Sequence, residues 1–229
     1  MVRALTKVGW NAAETIGRGA NVRNAAADVD MVVIATPDAA IADVAAAVEP
    51  NDECAVVHLS GSLGLDVLAP HRRRAAVHPL VALPDPETGA RRLLDHAWFA
   101  LAAGGDPVGP ELVEALDGRA VTVADDPQAR ALHHAACCVA ANYVTTVLAQ
   151  AERLAAAAGV PFAAYLALAR GALDNVADLG AAAALTGPVA RSDWTTVERH
   201  RASIAATAGD EAALYDALVL ATAKLAGQK

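Results

Sequence analysis

Apolar residues in the first half of the chain occur in short runs that are separated by helical stretches. The run MVVIA at residues 31–35 carries β-branched residues without polar alternation, as in a parallel strand that is covered on both faces. Further strands are predicted at residues 12–16, 55–59, 75–80, 98–102 and 120–123. This alternation of strands and helices predicts an α/β fold with a parallel sheet.

Helical patterns fill the intervals between these strands. Helices are predicted at residues 39–48, 63–68 and 110–116, and the first ten residues form the end of a helix that stops at Gly9. Asp38 is the expected N-cap of the helix at 39–48, because its short carboxylate can accept from free backbone amides. Residues 84–89 are expected to form a loop.

The pattern changes after residue 124, beyond which no strand is predicted. Helices are predicted at residues 128–158, 162–179, 194–206 and 211–226, with Asp193 as the N-cap of the third. We therefore expect two domains, an α/β domain over residues 1–124 and an all-α domain over residues 125–229.

Composition limits the classes of function. The 229 residues are 55% hydrophobic, enough to bury a core, and the net charge of −8 argues against general nucleic-acid binding. The three cysteines show no Cys-x-x-Cys or Cys/His ligand spacing, so we expect neither a disulfide framework nor a metal site. No signal peptide and no uncharged apolar run of about 18 residues is found, which favours a cytoplasmic protein without a membrane span.

The ends of two predicted strands carry candidate binding residues. The strand at 31–35 runs into Thr36 and Pro37, as a buried strand does at the nucleotide-facing loop of a dinucleotide-binding domain. Ligands of open α/β sheets bind beyond the carboxyl ends of the strands, so Ala35, Thr36 and Pro37 are expected to line a cofactor. Ser60 and Gly61 end the next strand and are expected to hold a nicotinamide carboxamide or a substrate. The alternative is a simple turn with serine as a helix cap.

Four segments of the chain resemble one known family. They are HLSGSLGLDVLAP (58–70), AVHPL (76–80), HHAACCVAANY (133–143) and LTGPVARSDWTTVERH (185–200). They resemble bacterial Rossmann-like proteins with a helical DUF2520 domain, relatives of 6-phosphogluconate dehydrogenase and pyrroline-5-carboxylate reductase. The resemblance implies a Rossmann-like parallel sheet followed by an all-α domain for substrate binding and dimerisation. It also implies an NADP-dependent oxidoreductase that forms a homodimer.

The start of the chain departs from this family. Gly9 and Trp10 correspond to the end of the first Rossmann helix, so the first strand and its G-x-G-x-x-G turn, which hold the pyrophosphate, are not in the sequence. Two explanations are open: the recorded start is an internal codon, or the chain has lost the phosphate-binding turn. We expect the strand at 12–16 to be displaced, disordered or paired directly with the strand at 31–35. A central strand formed by residues 1–8 would contradict this alignment.

Arg18 is the candidate for cofactor preference. It follows the strand predicted at 12–16, where NAD-binding domains place an acidic residue for the ribose hydroxyls. An arginine there can bind a 2′-phosphate, so Gly17, Arg18 and Gly19 are expected to contact NADP, although the missing glycine turn weakens this expectation. The alternative for Arg18 is an ordinary surface loop.

Candidate catalytic residues lie on the long helix. His134, Cys138 and Asn142 recur every four residues and form one stripe. His134 is the expected proton donor and Asn142 would orient a substrate carbonyl, although the lysine of the related dehydrogenases is absent. The alternative is a polar stripe at a domain or dimer seam. His78, which ends a strand, is a further catalytic candidate, or else a strand cap.

Substrate binding is expected in the LTGPVAR segment. Thr186 and Arg191 lie there, and an arginine can bind a substrate carboxylate through two hydrogen bonds. The alternative is a structural clamp between Arg191 and Asp193.

Two functions remain open at this stage. The first is an NADP-dependent oxidoreductase, or a degenerate relative of one, acting on a small acid; a ketopantoate-reductase-like activity is a minor option within it. The second is a cofactor-free dimeric binding or regulatory protein that uses the fold as a scaffold.

Overall fold

A five-stranded sheet organises the first part of the computed structural model, which describes residues 1–227. The strands are β1 (Met31–Ile34), β2 (Ala55–His58), β3 (Arg74–Pro79), β4 (Trp98–Ala102) and β5 (Arg119–Val123), and neighbours in the sheet follow chain order. β1, β2 and β3 are parallel, as are β4 and β5, whereas β3 and β4 run antiparallel. The expected α/β fold with an all-α C-terminal part is confirmed, with one antiparallel pairing in the sheet.

Helices account for most of the remaining chain. In order they are α1 (Val2–Lys7), α2 (Asp38–Ala47), α3 (Pro86–Leu93), α4 (Val108–Ala115), α5 (Pro127–Cys138), α6 (Val144–Ala157), α7 (Phe162–Leu179), α8 (Ala181–Ala184), α9 (Trp194–Thr207) and α10 (Ala212–Leu225). Two 3₁₀ segments lie at Leu65–Leu68 and Gly209–Glu211, and a π-helical stretch, Val139–Tyr143, separates α5 from α6.

The chain forms two compact units, Met1–Ala141 and Asn142–Lys229. The boundary expected near residue 125 marks the end of the strands, but α5 follows that point and belongs to the first unit. The first unit therefore consists of the sheet, its covering helices and the first helix of the all-α region.

Both faces of the sheet are covered by apolar side chains. Val57 and Val77 belong to a cluster that includes Ala4 and Leu5 of α1 together with residues of α3 and α4. Val56 belongs to a second cluster with residues of α2 and the first 3₁₀ segment. Because successive residues of a strand point to opposite faces, the unbroken apolar run of β2 supplies both clusters.

The start of the chain differs from one sequence expectation and confirms another. Residues 2–7 form a helix, and Gly9 follows it with φ of 91°, so the predicted helix end is confirmed. No strand forms at residues 12–16, but the expectation that this segment is displaced is confirmed: it has no regular structure and lies outside the sheet. Within residues 1–227, β1 pairs only with β2. An extended segment becomes a strand only when a neighbour takes its backbone hydrogen bonds, and residues 12–16 have none.

Two helix starts also correct the sequence interpretation. Asp38 is the first residue of α2, Pro37 occupies the N-cap position, and no side chain caps this end. Residues 84–89, expected to form a loop, include the start of α3. Asp85 caps that helix by accepting hydrogen bonds from the amides of Glu87 and Thr88, and Pro86 takes the first helical position, where its missing N–H costs nothing.

Removing the α3 cap should measurably weaken the first unit. We expect Asp85→Ala to lower the free energy of unfolding by about 1 kcal/mol, because two backbone amides lose their acceptor. Asp85→Asn keeps an acceptor oxygen and is the matched control, with a loss of a few tenths of a kcal/mol. Urea denaturation of both variants measures the difference. Equal losses in the two would mean that the charge of Asp85, and not its cap, stabilises α3.

The helical run Pro127–Ala157 is the one stretch within residues 1–227 that is long and apolar enough to cross a membrane. This rests on length and composition alone, and a single such helix is a weak indication. It nevertheless departs from the expectation drawn from uncharged runs, because this run contains charged residues.

The second unit contains a polar cluster between α6 and the residues that precede α10. Arg153 contacts the carboxylate of Glu211 through its Nε and Nη2 atoms, and Gln150 donates to the Glu211 carbonyl oxygen at 2.9 Å. Asp193 caps α9 as predicted, accepting from the amide of Thr196 at 3.1 Å. Helix α7 has no buried residue and exposes Leu168, Leu173 and Leu179. The expected homodimer through this helical region stays a prediction.

Candidate functional site

The carboxyl ends of β1, β2 and β3 converge on polar residues in the first unit. Asp38, just beyond β1, accepts hydrogen bonds from the hydroxyl groups of Ser60 and Ser62 at 2.8 and 2.7 Å. The Asp38 carboxylate does not cap α2. Through its bonds to the two serines, it joins the loop after β1 to the loop after β2. Burial opposes ionisation of this carboxyl, but the bonds from Ser62 and Ser60 outweigh it and lower its pKa.

A buried histidine fixes the shape of the loop after β2. His58 is fully buried, its Nδ1 accepts from the amide of Ser60 at 3.1 Å, and its Nε2 lies 3.0 Å from the carbonyl oxygen of Gly64. An amide donor on Nδ1 and a carbonyl acceptor on Nε2 assign the neutral tautomer with hydrogen on Nε2. Burial lowers the pKa of His58, in agreement with this assignment.

Arg130 on α5 is the largest fully buried side chain of this region. Its Nη2 donates to the carbonyl oxygen of Ser60 at 2.9 Å, whereas its Nε and Nη1 are buried without a hydrogen-bond partner. Burial lowers the pKa of this guanidinium, and the charge of Asp125 partly opposes that effect. Burial of an arginine without a bonded carboxylate is energetically costly. The position of Arg130 beside the loop after β2 therefore indicates a functional site and not a role in packing alone.

Four side chains from β3 and α5 meet next to this loop. The Nδ1 of His78 lies 3.3 Å from the Nε2 of His133, and that Nε2 lies 3.7 Å from the Sγ of Cys137. The ring of His134 packs edge-on against His78, with centroids 6.2 Å apart. Burial, followed by the charges of His133 and His134, lowers the pKa of His78 to about 4. His78 is therefore a neutral imidazole at neutral pH and is poorly suited to donate a proton.

Gly61 leaves the space in which these rings lie. A Cβ at this position would come within 2.7 Å of His78 Cε1 and 3.0 Å of His134 Cδ2. Real Cβ atoms do not approach so closely, so a side chain here would displace at least one ring. The requirement for glycine is steric, and it joins the Ser60–Gly61 turn directly to His78 and His134.

The other predicted cofactor residues lie in two places. Thr36 follows β1, and its Oγ1 is buried without a hydrogen-bond partner. Ala35 and Pro37 flank it, between the end of β1 and the start of α2. Gly17, Arg18 and Gly19 form an exposed turn in which Gly19 has φ of 79°. Within residues 1–227 the Arg18 side chain makes no hydrogen bond or ion pair.

The remaining predicted residues lie in the second unit. Asn142 belongs to the π-helical stretch, and its carbonyl oxygen accepts from the hydroxyl of Thr146 at 3.2 Å. Thr186 and Arg191 lie in the loop before α9, where Gly187 and Ser192 adopt positive φ. In the described residues the Asp193 carboxylate bonds to Thr196 and forms no ion pair with Arg191, so the proposed clamp is not formed.

Sequence reasoning missed several members of the cluster. His133 and Cys137 stand four residues apart on one helix face, a spacing that could have been recognised as a pair of ligands. Nothing in the sequence around Arg130 indicates that its charged side chain is buried, since an arginine in a helix is normally exposed. Asp38 was noticed only as a cap, and its serine partners lie more than 20 residues along the chain.

Comparison with solved structures gives the same fold at low identity. Protein TM1727 from Thermotoga maritima superposes with a TM-score of 0.67 at 24% identity, covering 85% of this chain and 77% of that one. A protein provisionally assigned as an NADP oxidoreductase, BF3122 from Bacteroides fragilis, gives 0.69 at 19% identity, covering 88% and 79%. An imine reductase from Pseudomonas sp. gives 0.58 at 15% identity, covering 99% and 83%. At these identities the likeness establishes the fold alone. No curated protein sequence matches the chain.

The sheet, the strand-end site and the helices that follow define an α/β protein with a helical C-terminal part, the fold of these solved structures. Residues 14–84 match the Rossmann-like domain, and residues 100–222 match DUF2520, a domain of unknown function. The chain belongs to the DUF2520 family.

Proposed function

We propose that this protein is an NADP-dependent oxidoreductase that acts on a small acid. The observation that carries the proposal is the position of Thr36, Ser60 and Gly61 at the carboxyl ends of the parallel strands β1 and β2, with His134 beside Gly61. Dinucleotides bind at this edge in open α/β folds. The structural neighbours with NADP or NADPH in their descriptions support the cofactor class.

The residues after β1 and β2 fit the nicotinamide side of such a cofactor. Thr36 brings a buried hydroxyl that has no hydrogen-bond partner within residues 1–227, whereas the Ser60 hydroxyl and amide bond to Asp38 and His58 and shape the loop at the same strand ends. Arg18 would select the 2′-phosphate. In the described residues no strand is followed by a G-x-G-x-x-G turn, so we assign no residue to the pyrophosphate.

When bound, NADPH would supply a hydride to a carbonyl or imine carbon. The oxygen or nitrogen of that group then needs a proton, and His134 is our candidate donor, because its ring lies beside Gly61 at the end of β2. His78 is the weaker candidate, since its lowered pKa leaves it unprotonated. Arg191 in the second unit is exposed and can bind a carboxylate with two hydrogen bonds.

Cofactor titration tests the proposal. We expect NADPH to bind more tightly than NADH, and Arg18→Ala to weaken NADPH binding by about 10- to 100-fold, as for lost hydrogen bonds to a charged group. NADH affinity should not change, because NADH lacks the 2′-phosphate. Fluorescence of the reduced nicotinamide measures all four affinities.

Arg91→Ala provides the matched control for general charge effects. Arg91 is an exposed residue of α3 and should leave both affinities unchanged. Failure of NADPH to bind with Kd below about 1 mM would contradict the proposal. That result would favour the second candidate, a cofactor-free binding protein built on the same scaffold.

A further inference from the structure

Two imidazoles and a thiol of the first unit lie at metal-ligand distances from one another. His78 comes from β3, whereas His133 and Cys137 lie one turn apart on α5. One ligand atom from each falls within 4.8 Å of the other two, and all three residues are half-buried. The cluster is thus drawn from two elements that are distant in sequence and is partly open to solvent.

We propose that His78, His133 and Cys137 form a binding site for a divalent transition-metal ion, with zinc as the preferred occupant. Two imidazole nitrogens and one thiolate are ligands that zinc favours, and three protein ligands leave a fourth position for water or a small anion. This proposal does not depend on cofactor binding.

The distances agree with a tetrahedral ion. Zinc bonds of about 2.0–2.1 Å to nitrogen and 2.3 Å to sulfur place two nitrogens roughly 3.3 Å apart, and a nitrogen and sulfur roughly 3.6 Å apart. The observed separations are 3.3 Å between His78 Nδ1 and His133 Nε2, and 3.7 Å between His133 Nε2 and Cys137 Sγ. The third pair, the ligand atoms of His78 and Cys137, lies within 4.8 Å, so a metal could replace the present hydrogen bonds once these two side chains close around it.

Neighbouring groups hold the ligands in place. Gly61 leaves room for the His78 ring, and the ring of His133 meets it edge-on, with centroids 5.5 Å apart. Arg130 anchors α5 to the Ser60 carbonyl oxygen, about one turn before His133 and two turns before Cys137. Its positive charge disfavours a bare cation, and a thiolate at Cys137 together with an anion or hydroxide in the fourth position would offset that charge. If the metal binds, His78 is a ligand, which leaves His134 as the proton donor of the proposed function.

Cobalt substitution tests the site directly. The full chain, without a histidine tag and after treatment with a chelator, is titrated with Co²⁺ and followed by absorption spectroscopy. We expect one ion per chain, a thiolate-to-cobalt charge-transfer band and visible bands of tetrahedral intensity, all displaced by Zn²⁺. Cys137→Ser should abolish the charge-transfer band, and His133→Ala should weaken binding by at least about 100-fold, because even the loss of outer-shell partners costs 10- to 100-fold.

Neighbouring residues provide matched controls. Cys138→Ser and His134→Ala change the adjacent cysteine and histidine on the same helix, outside the three-residue cluster, and should keep the spectrum. Circular dichroism confirms that each variant is folded. Absence of a cobalt spectrum in the unmodified chain, or loss of the band in Cys138→Ser with retention in Cys137→Ser, would overturn the proposal. Because NADPH affinity is measured separately, failure here leaves the proposed oxidoreductase function untouched.

Discussion

Replacement of Phe99 by alanine is expected to lower the free energy of unfolding of the first unit by about 3–5 kcal/mol. Phe99 is fully buried in the centre of β4 and belongs to the largest apolar cluster. Its ring lies so close to the backbone of Gly118 that a Cβ there would approach Cε2 to 2.7 Å. Truncation would leave a cavity between elements that close-pack around the ring. Urea denaturation measures the loss, which corresponds to a fall in Tm of roughly 6–20 °C for a chain of this size.

Trp98 offers the matched control, since it is the preceding residue of the same strand. Its side chain is 44% exposed, and the Arg119 guanidinium lies 5.7 Å from its ring centroid. Trp98→Ala should therefore cost no more than about 1 kcal/mol, the value of an exposed cation–π contact. A double-mutant cycle sharpens the test: Gly118→Ala should destabilise the native chain, and much of that effect should vanish in Phe99→Ala. Additive effects would mean that the ring and Gly118 do not compete for space.

Substitution of Gly61 by alanine is expected to damage the candidate site more than the fold. The new Cβ must displace His78 or His134, and such overpacking costs about 1–3 kcal/mol. The displaced rings belong to the proposed metal ligand, His78, and the proposed proton donor, His134. Affinities for both NADPH and Co²⁺ should therefore fall by at least about tenfold, which is 1.4 kcal/mol. Binding titrations and thermal unfolding of the same sample separate the two effects.

Gly171→Ala controls for the general effect of removing a glycine. Gly171 lies inside α7, and no atom would come within 4 Å of a Cβ there, so the change should stabilise the helix by about 0.5–1 kcal/mol. Neither affinity should change. If Gly61→Ala binds NADPH and Co²⁺ as well as the native chain, the rings have room to move and the site is not shaped by this glycine.

Strands and helices with strong periodic patterns were predictable from sequence. β4 and α7 have the bounds expected, because apolar runs and flanking Gly or Pro residues dictate them locally. The strand predicted at 12–16 does not form, because strand formation depends on a neighbouring strand that takes the backbone hydrogen bonds and not on the segment's own residues. The loop expected at 84–89 is wrong because Asp85 caps a helix there and Pro86, directly after it, favours the first helical turn.

The site was predictable only where it follows strand ends. Ser60 and His78 were recognised because parallel strands end at one edge, a rule that needs no coordinates. Arg130 and Cys137 could not be placed there, since their positions depend on side-chain contacts of α5 with Ser60 and His78, which are distant in sequence. Asp38 was expected to cap α2, but the helix begins one residue earlier than predicted. Its carboxylate therefore bonds to Ser60 and Ser62 instead of to the backbone amides of the helix.

The order of the strands has a consequence for how the first unit folds. Each strand pairs with the next one along the chain, and paired residues are roughly 20 positions apart in every case. No pairing has to await the closure of a long loop, so the entropy lost at each step is small. The sheet can grow from any adjacent pair of strands towards both edges, because each new pairing closes a connection of similar length.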